Sequence, residues 1–215
     1  MTDLSTSDEQ HRSTKARPYR MRRRAELVDR TRQRITEAAV RLHTSVGPAE
    51  TSIARVAEEA GVTRLTVYRH FADLDALFEA CMGHWGRLNP MPDAEGWRAI
   101  EPLEARARRA FGDIYRWYRA RDAELYPIYR DWTAMPLSAR AAVEAQSRAL
   151  SDSLIGQAMT TEARGRIGAA VARHLVDYRT WRSLVVERGL ELDEAVGAAV
   201  RMLLAADPRE KVDGD

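Results

Sequence analysis

Apolar side chains recur every three or four positions along most of this chain, which is the spacing of amphipathic α-helices. The first clear series begins near Asp29 and ends at Gly47 and Pro48, two residues that stop helices. Three shorter helices follow, and each is preceded by a threonine, serine or aspartate that can cap it. No segment predicts a β-strand. The members of the first apolar series are Ile35, Ala38, Ala39, Leu42 and Val46.

A stretch rich in proline and glycine separates these helices from a second group. Gly86, Asn89, Pro90, Pro92 and Gly96 favour a linker over a continuing helix. Four or five further helices are predicted beyond it. The sequence therefore predicts an all-α protein of about nine helices in three parts. These parts are a disordered N-terminal arm over residues 1–28, a first helical domain over residues 29–85, and a larger one over residues 86–215.

The charge is unevenly distributed between these parts. Although the net charge is only +2, residues 1–71 hold 14 basic and 9 acidic residues, against 20 and 23 in the rest of the chain. A basic part on a mildly acidic body favours a module that binds a polyanion. Within the arm, a run of basic residues without acidic ones is either a solvated tail or a segment that lies along phosphates. These residues are Arg12, Lys15, Arg17, Arg20, Arg22, Arg23 and Arg24.

Residues 51–71, TSIARVAEEAGVTRLTVYRHF, have the pattern of a helix-turn-helix. A short helix is followed by a tight turn at Gly61, where a residue without a Cβ adopts positive φ at no steric cost. A second short helix follows. When Val62, Val67 and Phe71 point inward, the basic and polar side chains of this second helix point outward, as they do in a helix that enters a major groove.

These outward side chains are the predicted DNA contacts. Arg64 and Arg69 can pair bidentately with guanine, and Leu65 can contact a thymine methyl group. Hydroxyl and imidazole groups nearby can donate hydrogen bonds to phosphates. The full set of candidate DNA-binding residues is Thr51, Ser52, Arg55, Thr63, Arg64, Leu65, Thr66, Tyr68, Arg69 and His70.

The stretch AGVTRLTVYRHF, followed by a helix capped at Asp73, resembles the signature of the TetR family of transcription repressors. The close resemblance covers about residues 30–80, and residues 178–184 are similar to the penultimate helix of many members. The resemblance implies a homodimer that places two recognition helices in successive major grooves of a palindromic operator, with an inducer pocket in the C-terminal helices. It also assigns base contacts to Arg64, Leu65 and Arg69. By the same resemblance, the phosphate contacts belong to Thr66, Tyr68 and His70.

One position departs from the family pattern. Members commonly carry a lysine that contacts phosphate just after the recognition helix, whereas this chain has Leu74 between Asp73 and Asp75. Two carboxylates would repel phosphate if they faced it. We therefore expect that contact to be replaced by the basic arm or by Arg55.

Tyrosines and tryptophans are concentrated in the second helical domain. They could simply fill a core, but their polar groups also suit a mostly apolar ligand pocket. No lysine or arginine is obviously committed to this face, so we expect an apolar or aromatic inducer and not a phosphorylated one. The predicted ligand-binding residues are Phe111, Tyr115, Tyr118, Tyr129, Trp132, His174, Tyr178 and Trp181.

Two further expectations concern assembly and signalling. The apolar stripes of the last two helices, about residues 161–188 and 193–206, suit a four-helix interface between two copies of the chain. The fourth helix, about residues 73–85, joins the two domains and would carry the signal of ligand binding to the DNA-binding part.

The sequence lacks the patterns that mark common catalytic and metal sites. It has no glycine-rich phosphate loop, no G-x-S-x-G elbow, and neither H-E-x-x-H nor C-x-x-C. We therefore expect no enzyme activity, no cofactor and no metal. The single cysteine, Cys81, the absence of a secretory signal and the lack of a membrane-spanning segment favour a cytoplasmic protein without a membrane partner.

The leading hypothesis is a repressor that a small-molecule inducer releases from its operator. Two alternatives stay open at this point. One is a DNA-binding regulator or architectural protein that has no inducer. The other is a helical binding module or enzyme whose basic end is incidental.

Overall fold

The computed structural model describes residues 7–156 and 163–206, and within these ranges the chain forms nine α-helices and no strand, which confirms the predicted all-α fold. Three 3-10 turns, Pro48–Glu50, Glu95–Trp97 and Trp132–Ala134, and a π-helical turn, Ser183–Glu187, lie between them. No helix in this part of the chain is both long and apolar enough to cross a bilayer. The helices are α1 Ser7–Ser45, α2 Ile53–Glu59, α3 Arg64–His70, α4 Leu74–Leu88, α5 Leu103–Arg130, α6 Leu137–Ile155, α7 Ala163–Leu175, α8 Tyr178–Arg182 and α9 Leu192–Ala205.

The first helix is longer than the apolar pattern predicts. It begins at Ser7 and not near Asp29, so residues 7–28, which we expected to lack regular structure, continue α1. Arginine, alanine, methionine and glutamate are good helix formers, and they dominate the stretch just before Asp29. Every residue from 21 to 30 is exposed. This part of α1 therefore packs against no core, which is why no apolar period marks it. Residues 1–6 of the predicted arm lie outside the described residues.

Three apolar clusters hold the described helices together. The first lies among α1–α4 and is built on residues such as Ile35, Val67 and Phe71. The second and largest lies among α5–α9. The third is small and joins Phe78 of α4 to Met135 and to α6. Because α4 contributes to both the first and the third cluster, the exact domain boundaries stay predictions.

The caps that the sequence predicts begin the three short helices of the N-terminal part. The side chain of Ser52 accepts the Arg55 N–H at 3.3 Å, and that of Thr63 accepts the Thr66 N–H at 3.2 Å. Asp73 caps α4 in the same way. Gly61 has a φ of +63°, as the turn between α2 and α3 requires. These local bonds fix where α3 starts and therefore which of its faces is turned outward.

A polar contact ties the end of α1 to the end of α5. Arg130 Nη2 donates to the Val46 carbonyl at 2.7 Å, and Asp131 Oδ2 accepts the Ala49 N–H at 3.1 Å. Gly47 lies against this pair with a φ of +96°, and a Cβ there would come within 2.2 Å of Asp131 Oδ2. The connection between α1 and α2 is thus held in place by the second group of helices.

We expect Gly47→Ala to lower the free energy of unfolding by about 1–3 kcal/mol, because alanine is strained at positive φ and its Cβ displaces Asp131. Urea denaturation followed by circular dichroism measures this change. Gly83→Ala is the matched control, since its Cβ would lie in helix α4 at an ordinary 3.6 Å from Arg87 Nη1. The control should be neutral or stabilising by about 0.5–1 kcal/mol. Equal stabilities of the two variants would contradict the prediction.

Candidate nucleic-acid interface and ligand cavity

Helix α3 turns a basic and partly apolar face to solvent. Leu65 is 77% exposed and Tyr68 is 55% exposed, whereas Val67 between them is fully buried. The side chains of Arg64 and Arg69 are exposed and form no ion pair or hydrogen bond with any described residue. Two unpaired guanidinium groups beside an exposed leucine are the chemical groups that contact guanine edges and thymine methyl groups.

The hydroxyl and arginine groups around α3 take part in local structure. The hydroxyl oxygens of Thr63 and Thr66 lie 2.9 Å apart. At the start of α2, Thr51 donates its hydroxyl proton to the Gly47 carbonyl at 2.8 Å. Arg55 Nη1 donates to the Glu50 carbonyl at 2.9 Å. These candidate residues and the cap Ser52 therefore form local hydrogen bonds at the starts of α2 and α3, and they also lie near α3.

His70 at the end of α3 is half-buried, and its carbonyl accepts a hydrogen bond from Arg32 of α1. The Arg32 guanidinium also lies 4.1 Å from the centre of the Phe71 ring. Desolvation lowers the pKa of His70, and the positive charges of Arg69 and Arg32 lower it further. The imidazole is therefore mostly neutral at pH 7 and offers one N–H donor. The contact of Arg32 with the end of α3 was not predicted from the sequence, because no spacing rule connects a residue of α1 with the end of α3.

The two aspartates at the start of α4 have structural partners. Asp73 Oδ1 accepts the Ala76 N–H at 2.8 Å. Asp75 Oδ2 accepts the hydroxyl of Ser138, on α6, at 3.2 Å. Leu74 between them is 53% exposed. Asp75 is thus directed toward the second group of helices.

Most of the predicted ligand-binding aromatics fill the core among α5–α9. Phe111, Tyr115, Tyr178 and Trp181 are at most 1% exposed and do not line the main cavity. The Tyr115 hydroxyl donates to the Leu175 carbonyl at 3.0 Å, and the Tyr178 hydroxyl donates to the Asp122 carboxylate. The polar groups of these tyrosines are therefore satisfied within the protein.

Two other predicted residues lie at the surface of this region. Trp132 is half-buried, stacks on Tyr129 with ring centres 5.7 Å apart, and lies 4.7 Å from the Arg179 guanidinium. His174 is exposed, and its carbonyl accepts the Thr180 hydroxyl at 2.6 Å. Neither side chain lines the main cavity.

A cavity of about 260 Å³ lies where α1 and α4 meet α5 and α6. Of the eight predicted ligand-binding residues, Tyr118 and Tyr129 line it. Most residues of the cavity wall were not predicted from the sequence. The apolar residues of α4 recur at the spacing of an ordinary core helix, so nothing in the pattern indicated a cavity. The apolar side chains of the wall include Phe78, Met82, Trp85, Met91, Trp117 and Met135.

Polar side chains also lie in this wall, and they include Glu124, His43, Thr44, Asn89, Gln146 and Ser147. Glu124 Oε2 accepts the Trp85 Nε1–H at 2.6 Å. His43, from the last turn of α1, is 6% exposed and stacks on the Phe78 ring with centroids 4.3 Å apart. Burial lowers the pKa of His43 to about 4, so its ring is neutral at pH 7. Burial also raises the pKa of the Cys81 thiol to about 12, which keeps it protonated and unreactive.

The N-terminal helices match known proteins in sequence. Residues 35–81 match the family model described as bacterial regulatory proteins, tetR family. Over 57 residues the chain is 40% identical to the HTH-type transcriptional regulator AcrR of Shigella flexneri. That match covers 26% of this chain and 26% of the relative, so it spans about a quarter of either protein.

Solved structures share the fold over most of the chain. NalD, the secondary repressor of the MexAB-OprM multidrug efflux pump in Pseudomonas aeruginosa, superposes with a TM-score of 0.54 at 19% identity, covering 84% of this chain and 97% of that one. The transcriptional regulator FadR from Bacillus subtilis, in complex with stearoyl-CoA, gives 0.53 at 14% identity, with 81% and 98% covered. The chain is thus similar in sequence to the tetR family of bacterial regulatory proteins over residues 35–81, and over most of its length it shares the fold of solved transcription regulators.

Proposed function

We propose that this protein is a sequence-specific DNA-binding transcription regulator, and that it acts as a repressor. In this proposal a small, largely apolar ligand releases it from a palindromic operator. The observation that carries the DNA-binding part is the outer face of α3, where Arg64 and Arg69 are exposed and unpaired within the described residues. The match to the tetR family model over residues 35–81 supports the same assignment.

Each group on the outer face has a definite role in this proposal. Arg64 and Arg69 pair with guanine edges in the major groove, and Leu65 meets a thymine methyl group. Tyr68 and the neutral His70 donate hydrogen bonds to phosphates, which positions the helix without selecting sequence. Arg22, Arg23 and Arg24, which lie in the exposed part of α1, add a long-range attraction that weakens as salt rises.

The cavity supports the proposed release by a ligand. Its walls come from both parts of the chain, with His43 on α1 and Phe78 on α4 facing Tyr129 on α5. A ligand in this space would contact α1 and α4, which pack against α2 and α3. It would also contact α5 and α6, which belong to the second group of helices. It shifts the protein away from DNA only if it binds more tightly to the arrangement that fits the operator less well. The polar contact of Arg130 and Asp131 with the end of α1 is a second connection through which this shift can pass.

The proposed homodimer uses the exposed sides of α7, the π-helical turn and α9. Ile167, Val186 and Met202 are large apolar side chains that are 62%, 45% and 42% exposed. Val200 and Leu203, although on the same helix as Met202, are at most 1% exposed and belong to the core of a single chain. The interface that the sequence predicts for the last two helices therefore has to use the outer side chains.

We expect Arg64→Ala or Arg69→Ala to weaken operator binding by about 1–3 kcal/mol and to relax the preference at one base pair in each half-site. Tyr68→Phe should weaken binding to all duplexes to a similar degree, because it removes a phosphate contact. Duplexes selected from a random pool, followed by fluorescence anisotropy with each variant, measure both effects. Arg119→Ala, which removes an exposed arginine of α5, is the control and should leave binding unchanged. A wild-type protein that enriches no duplex over bulk competitor would show that the proposed function is wrong.

We expect the double variant Ile167→Asp with Met202→Asp to be a folded monomer, because both side chains are exposed in a single chain and would become buried in the dimer. Sedimentation velocity at micromolar concentration gives the oligomeric state, and circular dichroism confirms the helices. Leu203→Asp is the contrasting variant and should unfold the chain, since it places a charge in the core. A double variant that sediments like the wild type would contradict this interface.

A further inference from the structure

We infer that the cavity among α1, α4, α5 and α6 selects a compact aromatic cation, whose positive group lies beside the carboxylate of Glu124. This inference rests on the proposed ligand site and specifies the class of molecule that occupies it. From the sequence alone we expected a largely apolar or aromatic ligand and not a phosphorylated one.

The charge of the cavity wall carries the inference. Within the described residues, Glu124 is the one lysine, arginine, aspartate or glutamate that lines the cavity. Its Oε2 accepts the Trp85 Nε1–H, while its Oε1 accepts no hydrogen bond and the carboxylate forms no ion pair with any described residue. Glu124 is half-buried, and its carboxylate is the negative group beside the apolar side chains of this wall. A ligand with a positive group would be attracted to this carboxylate, and an anionic ligand would be repelled by it.

The nearest arginine on α5 is held in another position. Arg121 Nε donates to the Asn89 side-chain oxygen at 2.9 Å, and the guanidinium lies 4.8 Å from the centre of the Trp117 ring. Arg121 therefore stands over one of the aromatic groups of the wall and does not neutralise Glu124, which is three residues further along the helix. Aromatic rings of the kind that form this wall attract cations to their faces, as the contact of Arg121 with Trp117 illustrates.

The remaining wall fits the body of such a ligand. Trp85 and Trp117 meet edge to face with ring centres 5.7 Å apart, and Tyr118 lies against Trp117 at 5.6 Å. His43 is buried, and its ring nitrogens have no hydrogen-bond partner among the described residues. Because burial keeps this imidazole neutral at pH 7, it adds no positive charge that would oppose a cation. A volume of about 260 Å³ suits a compact molecule with few rings.

Three probes with the same fused two-ring body separate charge from shape. They are N-methylquinolinium, which is a permanent cation, 1-methylnaphthalene, which is neutral, and 1-naphthoate, which is an anion. Equilibrium dialysis against the full chain measures their dissociation constants directly. We expect the cation to bind at least about tenfold more tightly than the neutral probe, from a new charge pair and a cation–π contact, and the anion to bind most weakly.

Glu124→Gln tests the residue. Glutamine keeps a side-chain oxygen that can accept the Trp85 Nε1–H and removes only the charge. The variant should lose most of the preference for the cation and keep at most the part that the cation–π contact supplies, while its affinity for the neutral probe stays at the wild-type value. Glu144→Gln is the matched control, because Glu144 is exposed on α6 and does not line the cavity. The control should keep the full preference for the cation.

Several results would overturn the inference. They are equal binding of cation and neutral probe to the wild type, no binding of the cation, or a preference for the cation in Glu124→Gln that is as large as in the wild type. If Glu124→Gln also loses the neutral probe, the ranking of the three probes on the wild type decides the matter alone.

An operator titration keeps this inference separate from the proposed function. A cation that binds but leaves operator affinity unchanged would reject release by a ligand and leave the ligand class standing. Specific operator binding by a protein that takes no cation would reject the ligand class and leave the regulator standing.

Discussion

Helices α1 and α4 each pack on two sides, and the rest of the structure depends on this double packing. On one side Ile35 of α1 and Leu77 of α4 are buried against α2 and α3. On the other side His43 and Phe78, from the same two helices, stack on each other next to α5 and α6. Because close-packed side chains transmit displacement, this packing is the connection through which the proposed ligand would change the position of α3.

The contact between the two groups of helices is partly polar. Arg130 and Asp131 bind backbone groups on either side of Gly47, and Asp75 accepts a hydrogen bond from Ser138. Directional bonds of this kind hold one arrangement well but contribute less than a large apolar interface to resisting relative motion. A ligand needs only a difference in affinity of a few kcal/mol between two arrangements to shift such an equilibrium.

The elements that follow from short-range rules could be predicted from the sequence. Ser52, Thr63 and Asp73 are caps that bond to backbone groups three residues away, and Gly61 is a turn residue at positive φ. Their effects depend on neighbours along the chain, so the helix-turn-helix and its outer face follow from the residues themselves. The extension of α1 to Ser7 was missed for the opposite reason, since an exposed helix has no apolar face to produce a period.

The sequence by itself determined the all-α fold, the helix-turn-helix of α2 and α3, and the basic groups that α3 turns outward, because each rests on spacings of one to four residues. Only the tertiary structure decided which aromatic residues fill the core and which surround a cavity. A buried tyrosine satisfies its hydroxyl equally well with a carbonyl, as Tyr115 does with Leu175, or with a ligand, and this choice leaves no mark on the spacing of its helix. Glu124 and His43 line the same cavity although they are far apart in the chain. Their proximity follows from how α1 packs near α5, which no local pattern in the sequence indicates.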